Sequence, residues 1–283
     1  MINFKNELDQ DCFKEFEPVS KVGLICAFSP DGYPHITLVS SISAKTEKSI
    51  MWGQFSRGLS KDYVETNPKT AFAILTPDRH WRTGKATYTS NTEKGPDYEY
   101  YNNQPMFRYN SYFGIGVVHY EEVIDISDRQ ALSVASILAG SIKSNLAKMS
   151  IRKTKTTAKL PQAAIKLANQ MGSLIFIAYE DTDGYPRIIP ALQGCALDGN
   201  NLVFSLTPYG EYLKSIPENA KVAVYVTSLE LAGFLLQGTW CGVKKHGCIS
   251  AGVFTVDKVY NPMLPIPHYI YPQAEIKNVF GKI

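Results

Sequence analysis

The tetrapeptide Asp-Gly-Tyr-Pro occurs twice in this 283-residue chain, at residues 31–34 and 183–186. Sliding the chain against itself by 152 residues superposes the two copies. Without a gap from Val22 to Leu75 this gives 11 identities in 54 positions. Unrelated sequences of average composition would give roughly three. Ile25 falls on Ile177, Gly58 on Gly210, Asn67 on Asn219 and Lys69 on Lys221. Solenoid repeats run at about 20–50 residues, so a period this long means two copies of a whole domain. What each copy kept or lost then becomes a guide to its chemistry.

Each copy reads as short apolar runs separated by turn signals. Strands are expected at residues 22–28 and 173–179, followed by the Asp-Gly turn, where Gly tolerates positive φ. Return strands follow at 35–43 and 187–196, then strands at 49–54 and 202–206, and at 70–75 and 222–227. A fifth strand contains Gly84 in one copy and Gly238 in the other, with a two-residue length difference placed in the preceding loop. Short helices are expected at 8–16 and 161–171, the second with Pro161 at its start and Gly172 just past its end. Two more, at 60–66 and 212–217, follow the third strands. Strands at such spacing with tight turns are the pattern of a small antiparallel barrel. The 17 Tyr and 13 Phe fit β structure.

Between the copies lies a tyrosine-rich stretch, residues 98–112. It is too long and aromatic for a connector, so it is expected to be a lid or to pack across the seam between the barrels. A strand near 114–125, a helix at 128–149 and a basic linker at 143–159 follow. That linker holds six Lys/Arg and no acid. The expected division is 1–127 for the first barrel, 128–160 for helix and linker, and 161–283 for the second barrel.

Hydrophobic content of 45% with 19% charged residues means a folded chain. The net charge of +3 suits a small anionic ligand and is weak evidence for a nucleic-acid partner, with a linker-driven nucleic-acid binder kept as a rival reading. The basic linker lacks interleaved aromatics and reads as solvated. Five cysteines without a CxxC pair favour a reducing cytosol. Cys241, His246 and Cys248 fit no zinc spacing, so no metal is expected. The polar start and the lack of an apolar run near ~20 residues lead to the expectation of a cytoplasmic protein with no membrane partner.

The stretch with the most chemistry is Trp52-Gly-Gln-Phe-Ser56-Arg57-Gly-Leu-Ser60-Lys61, followed by Asn67-Pro68. It joins a strand end to a helix start, where small residues let backbone N–H groups approach an anion. Ser56 and Ser60 add hydroxyl donors; Arg57 and Lys61 add charge. At the 152-residue offset these four become Pro208, Tyr209, Tyr212 and Leu213, with Lys214 one place along. A phosphate needs paired donors when partly buried, so one competent site and one degenerate site are expected. His35 reads as a hydrogen-bonded strand histidine ahead of a catalytic one. Arg82 reads as solvated, or as meeting an anionic substrate. No nucleophilic triad or carboxylate pair is readable, and no catalytic residue is assigned.

Asp-Gly-Tyr-Pro-His-Ile-Thr-Leu-Val, then a hydrophobic strand, Ser-Arg-Gly-Leu-Ser-Lys, and Asn-Pro-Lys-Thr-Ala-Phe-Ala-Ile-Leu follow one another in order. This ordered set resembles the pyridoxamine 5'-phosphate oxidase-like family of FMN-binding split barrels, over residues 20–120 and 173–260. The resemblance implies a mainly β chain of two tandem split β-barrels forming an intrachain pseudo-dimer, a fused version of the homodimer usual in that family. It implies FMN, with Ser60 and Lys61 on the phosphate. Thr37, Leu38, Val39, Gln54 and Phe55 would line the ring and ribityl chain, and Gln237 of the second barrel would meet the ring. Lys61 precedes Asn67 by six residues where seven is common, so Arg57, beside Ser56, is placed to share the phosphate. The implied function is a flavin-dependent oxidoreductase acting on an unidentified small-molecule redox substrate. The alternatives are a non-catalytic flavin-binding module and a deazaflavin- or haem-binding relative of the same barrel. Oxidation of pyridoxamine phosphate itself is not expected, since residues 260–273 are rich in proline and aromatics, not arginine and histidine. A monomer with pseudo-dimer architecture is expected, with further dimerisation left open.

Overall fold

The computed structural model describes residues 3–17, 20–54, 58–105, 114–228, 232–263 and 267–273. The chain is mainly β, built on two antiparallel sheets of nine and eight strands. In chain order the first half carries β1 (Phe4–Lys5), α1 (Gln10–Phe16), β2 (Val22–Phe28), β3 (Pro34–Leu38), β4 (Ser43–Thr46) and β5 (Ser49–Gln54). Then come α2 (Leu59–Thr66), β6 (Lys69–Leu75), β7 (His80–Thr92), α3 (Pro96–Asn102), β8 (Val117–Ser127) and β9 (Gln130–Ala131). The rest is α4 (Val134–Ser150), α5 (Gln162–Asn169), β10 (Leu174–Glu180), β11 (Pro186–Pro190), β12 (Cys195–Ala196) and β13 (Asn201–Ser205). It closes with α6 (Gly210–Ser215), β14 (Lys221–Thr227), β15 (Gly233–His246), β16 (Ile249–Asn261) and β17 (His268–Tyr271).

The first sheet runs β3-β2-β6-β7-β8-β5-β4 and the second β11-β10-β14-β15-β16-β13-β12. The two orders are the same topology, which is the structural form of the sequence repeat. Both repeated turns have the same backbone: Gly32 at φ 78° and Gly184 at φ 76°. Each glycine donates to a carbonyl three residues back, Ser29 or Asp181, at 2.8 and 2.9 Å. Any side chain there would be strained, so the glycine is obligatory to the hairpin.

Register corrects one alignment. Thr70 pairs with Ala86 and Val222 with Gly238, so the 152-residue offset continues into the fifth strands and the expected two-residue length difference is absent. Gly238 corresponds to Ala86, and Gly84 to Leu236. The glycines arise from separate packing needs. A Cβ on Gly84 would stand 2.3 Å from the Phe72 ring, and one on Gly238 2.0 Å from the Thr255 carbonyl.

The chain divides into two compact units, 1–134 with 178–189, and 135–177 with 190–283. In the first, Phe16, Ile25, Trp52, Phe72 and Ile126 are buried in one hydrophobic core. Full burial of each such side chain stabilises by about 1.5–3 kcal/mol. The helix expected at 128–149 begins later, because β9 pairs with β7 first. It runs to Ser150, so the first part of the expected linker is helical. In the tyrosine-rich stretch, residues 96–102 form α3. Tyr101 is buried among Met51, Ile115 and Val118, and its hydroxyl donates to the Ser41 carbonyl at 2.8 Å. This part is a packed wall of the first unit; residues 106–113 lie outside the described residues. Arg82 is likewise no solvated residue. It is buried against Glu15 of α1 and donates to the Ser127 carbonyl at 3.0 Å.

Candidate functional site

The anion cradle expected at residues 56–61 is described from Gly58 onward; Phe55, Ser56 and Arg57 lie outside the described residues. Gly58 is the N-cap of α2, in extended conformation and without a side-chain cap. Among the described residues a Cβ there would meet nothing closer than Lys61 Nζ at 3.9 Å. Ser60 is buried. Among the described residues, Lys61 Nζ makes no hydrogen bond or ion pair, and it lies 5.7 Å from the centre of the Trp52 ring. Burial lowers its pKa to about 8, opposed by the charge of Asp62.

Below Lys61 the strands place a polar cluster. Trp52 pairs with His119 and Ile50 with Glu121 across β5 and β8. The imidazole of His119 stacks on the Trp52 ring at 3.9 Å and 13°. His119 Nε2 lies 2.9 Å from Gln54 Oε1. Burial, then the charge of Lys61, lowers the His119 pKa to about 4. The neutral ring and the Gln54 amide are thus hydrogen-bonded partners whose donor and acceptor follow the imidazole tautomer. His35 on β3 packs edge-on to Tyr63 of α2, with ring centres 5.3 Å apart. Burial, then Lys61, lowers its pKa to about 3. Both histidines are held uncharged beside the lysine, which suits a site reserved for one cation and an incoming anion.

Glu121 is completely buried. Trp52 Nε1 donates to its Oε1 at 2.8 Å and Thr70 Oγ1 to its Oε2 at 2.6 Å. Burial raises its pKa to about 7 against those two hydrogen bonds. A carboxyl whose pKa is raised by folding contributes stability that is full below its unfolded value, near ~4.3, and lost as pH rises through the folded value. Glu121→Gln is therefore expected to stabilise the protein relative to wild type above about pH 7, with a much smaller difference near pH ~5. His35 and His119 act oppositely, costing stability as pH falls below ~6.5, but their contribution cancels in the comparison. Urea unfolding of both proteins at the two pH values measures this; a constant difference would overturn it.

The other expected site residues sit as follows. Thr37 and Leu38 are half-buried on β3, whereas the Val39 side chain lies in the first unit's core. Gln54 ends β5. Gln237 is in the second unit, buried on β15, and accepts from the Tyr269 hydroxyl at 3.0 Å. In register it corresponds to Lys85, which pairs with Asp181 and Asp183 at 2.8 and 2.7 Å within the first unit. Thus Gln54, Ser60 and Lys61 cluster with Trp52, His35 and His119. Sequence reasoning passed over His119 and Glu121. The one signal for them was that His119, Glu121 and Val123 alternate on one face of an expected strand.

Among the described residues the second unit lacks this cluster. Strand register and the 152-residue offset replace Trp52, Thr70, His119, Glu121 and Lys61 by Phe204, Val222, Gly252, Phe254 and Leu213. All five are apolar or glycine, and a Cβ on Gly252 would stand 2.2 Å from the Trp240 ring. Lys214, one place along, is exposed and lies 3.8 Å from Glu211.

No family model matches the chain, and no curated protein matches it. Among solved structures it is similar to HupZ from Group A Streptococcus, at 16% identity over 45% of this chain and 98% of that one, with a TM-score of 0.37. It is similar to an FMN-binding protein from Syntrophomonas wolfei, at 12% over 43% and 83%, with a TM-score of 0.35. It is also similar to an F420 reductase, at 13% over 38% and 88%, with a TM-score of 0.31. At these identities and TM-scores the likenesses carry no conclusion about activity, which rests on the chain's own side chains.

Proposed function

We propose that the chain binds one FMN, through its phosphate, at the N-terminus of α2 in the first unit, and serves as a flavin-dependent oxidoreductase. The observation that carries this reading is Lys61: an ammonium lowered in pKa by burial, with no carboxylate on it among the described residues, beside a helix start without a side-chain cap and the buried Ser60. Such a donor set fits a phosphate dianion, which would restore the charge balance that burial removes. Ser60 and the first N–H groups of α2 would donate to the phosphate oxygens, with Arg57 and Ser56 as further donors of the same segment. Gln54, held at one end of its amide by His119, would offer the other end to the ring or ribityl chain, alongside Thr37 and Leu38. Flavin, when bound, supplies hydride or electron transfer. The residues of the chain bind and orient it.

The apolar counterparts in the second unit support a single site. A visible spectrum with phosphate-to-protein stoichiometry tests this, and the expected result is a flavin spectrum at one FMN per chain. Two FMN per chain would overturn the single-site reading. A haem or deazaflavin spectrum would replace the cofactor while keeping the fold.

A further inference from the structure

The longest described helix is built inside out. On α4 the buried face is small: Gly140, Ser144 and Ala147. A Cβ on Gly140 would stand 2.0 Å from the Thr207 carbonyl. Ser144 Oγ accepts from the Ser205 amide at 2.9 Å, and Ser205 Oγ donates to the Gly140 carbonyl at 2.8 Å. Close approach and polar bonds hold this face to the second unit. The large apolar side chains face outward instead: Leu138 is 47% exposed, Ile142 62%, Leu146 49% and Met149 83%. Their spacing of four, four and three places them in one stripe along the helix. Contiguous exposed apolar surface of this kind marks an interaction site.

The charge around the stripe selects the partner. Of the cations in residues 129–179, Arg129 is paired with Glu15 and Asp78, Lys159 lies 3.6 Å from Asp257, and Lys148 donates to the Ala196 carbonyl, which leaves the exposed ones near the helix end to set the local charge. Arg152, Lys153 and Lys155 are exposed immediately past the helix, and Lys143 stands beside Ile142. Asp198 accepts from the Thr154 amide at 2.8 Å and offsets part of this charge, and a two-fold contact between copies centred on the stripe would bring the remaining cations close to their own images. Exposed cations flanking the apolar stripe favour a partner that carries negative charge. The stripe also has no Trp, Tyr or Arg to act as the anchor of a protein–protein contact. Flexible aliphatic side chains beside a run of cations are instead the makings of a helix lying in a lipid interface. Among the described residues no helix is long and apolar enough to cross a membrane, so the mode is surface attachment.

We infer that the outward face of α4, with the cations that follow it, docks on an anionic lipid surface. The test is flotation of the full chain with equimolar phosphatidylglycerol–phosphatidylcholine vesicles and with phosphatidylcholine vesicles. Binding to the anionic vesicles is expected to exceed neutral binding by about tenfold or more and to fall with added salt. The variant Ile142→Glu/Leu146→Glu is expected to lose that binding with its melting temperature unchanged, since both positions are exposed. Lys153→Gln/Lys155→Gln, which leaves the helix untouched, is expected to lower binding to anionic vesicles alone. Absence of wild-type binding to the anionic vesicles would overturn the inference. So would a concentration-dependent dimer in light scattering that the double glutamate variant abolishes, which would make this face a contact between chains. Capture of an acidic protein with no vesicle binding would overturn it too.

Discussion

Lys61→Ala is expected to weaken FMN binding by roughly thirty- to a hundredfold, the loss of about 2–3 kcal/mol from a hydrogen bond to a charged group. Lys61 Nζ has no other ion partner among the described residues, so its removal leaves no side chain stranded. The cost should appear in binding and not in folding. Burial holds the Lys61 pKa near 8, and a phosphate dianion beside it would raise that value and strengthen the pair. Titration of the cofactor-free protein with FMN and with riboflavin separates the phosphate contribution. Wild type is expected to prefer FMN strongly, and the variant to bind the two nearly alike. Lys214→Ala is the control: it alters the neighbouring position in the second copy, where the ammonium lies 3.8 Å from Glu211 in solvent, and should change nothing. Equal FMN affinity in wild type and Lys61→Ala would refute the phosphate assignment.

Arg82→Met is expected to destabilise the protein by about 3–5 kcal/mol, because it leaves the Glu15 carboxylate buried without its main partner. Glu15 and Arg82 are 8% and 4% exposed. Arg82 also donates to the Ser127 carbonyl at 3.0 Å, tying α1 to the end of β8. Arg129 lies 2.8 Å from Glu15 but is itself 44% exposed, so solvent screens it and it cannot substitute fully. The shift in melting temperature should be on the order of 10 °C for a chain of this size. Adding Glu15→Leu to Arg82→Met removes the stranded charge and is expected to recover most of the loss, as buried pairs replaced by apolar side chains often do. A single variant as stable as wild type would show that water reaches Glu15. Since neither residue touches the cluster around Lys61, FMN affinity of the folded variant should be unchanged.

The contrast between these two residues shows what was legible in the sequence. The place of Lys61 at a helix start beside Gly58 and Ser60 was legible because these neighbours lie within four residues, and the second copy's Leu213 marked the difference. Arg82 was misread as solvated because its partner, Glu15, lies 67 residues away on α1, a pairing that no spacing rule encodes. His119 and Glu121 went unread for the same reason. Only the β5–β8 register, joining residues more than sixty apart, brings them beneath Trp52. The tyrosine-rich stretch reads from its composition as a lid or as packing across the seam; within its described part, Tyr101 finds carbonyl partners at Ser41 and Met51 of the first unit. Aromatic content alone does not say which surface a ring will face.

The Asp-Gly-Tyr-Pro repeat, by itself, determined that the chain holds two copies of one hairpin-based β fold. That information is local, since positive φ at a glycine and alternation along a strand are properties of a few consecutive residues. It also determined that one copy alone keeps a Ser/Lys helix start. The tertiary structure alone decided that this asymmetry extends through the barrel, with Trp52, Thr70, His119 and Glu121 facing one another where the other copy has Phe204, Val222, Gly252 and Phe254. It alone decided that α4 turns its small residues inward and its large ones out. Side chains distant in sequence meet only once strand register and helix packing are set, and burial, which moves the pKa values of Lys61, His119 and Glu121, exists only then.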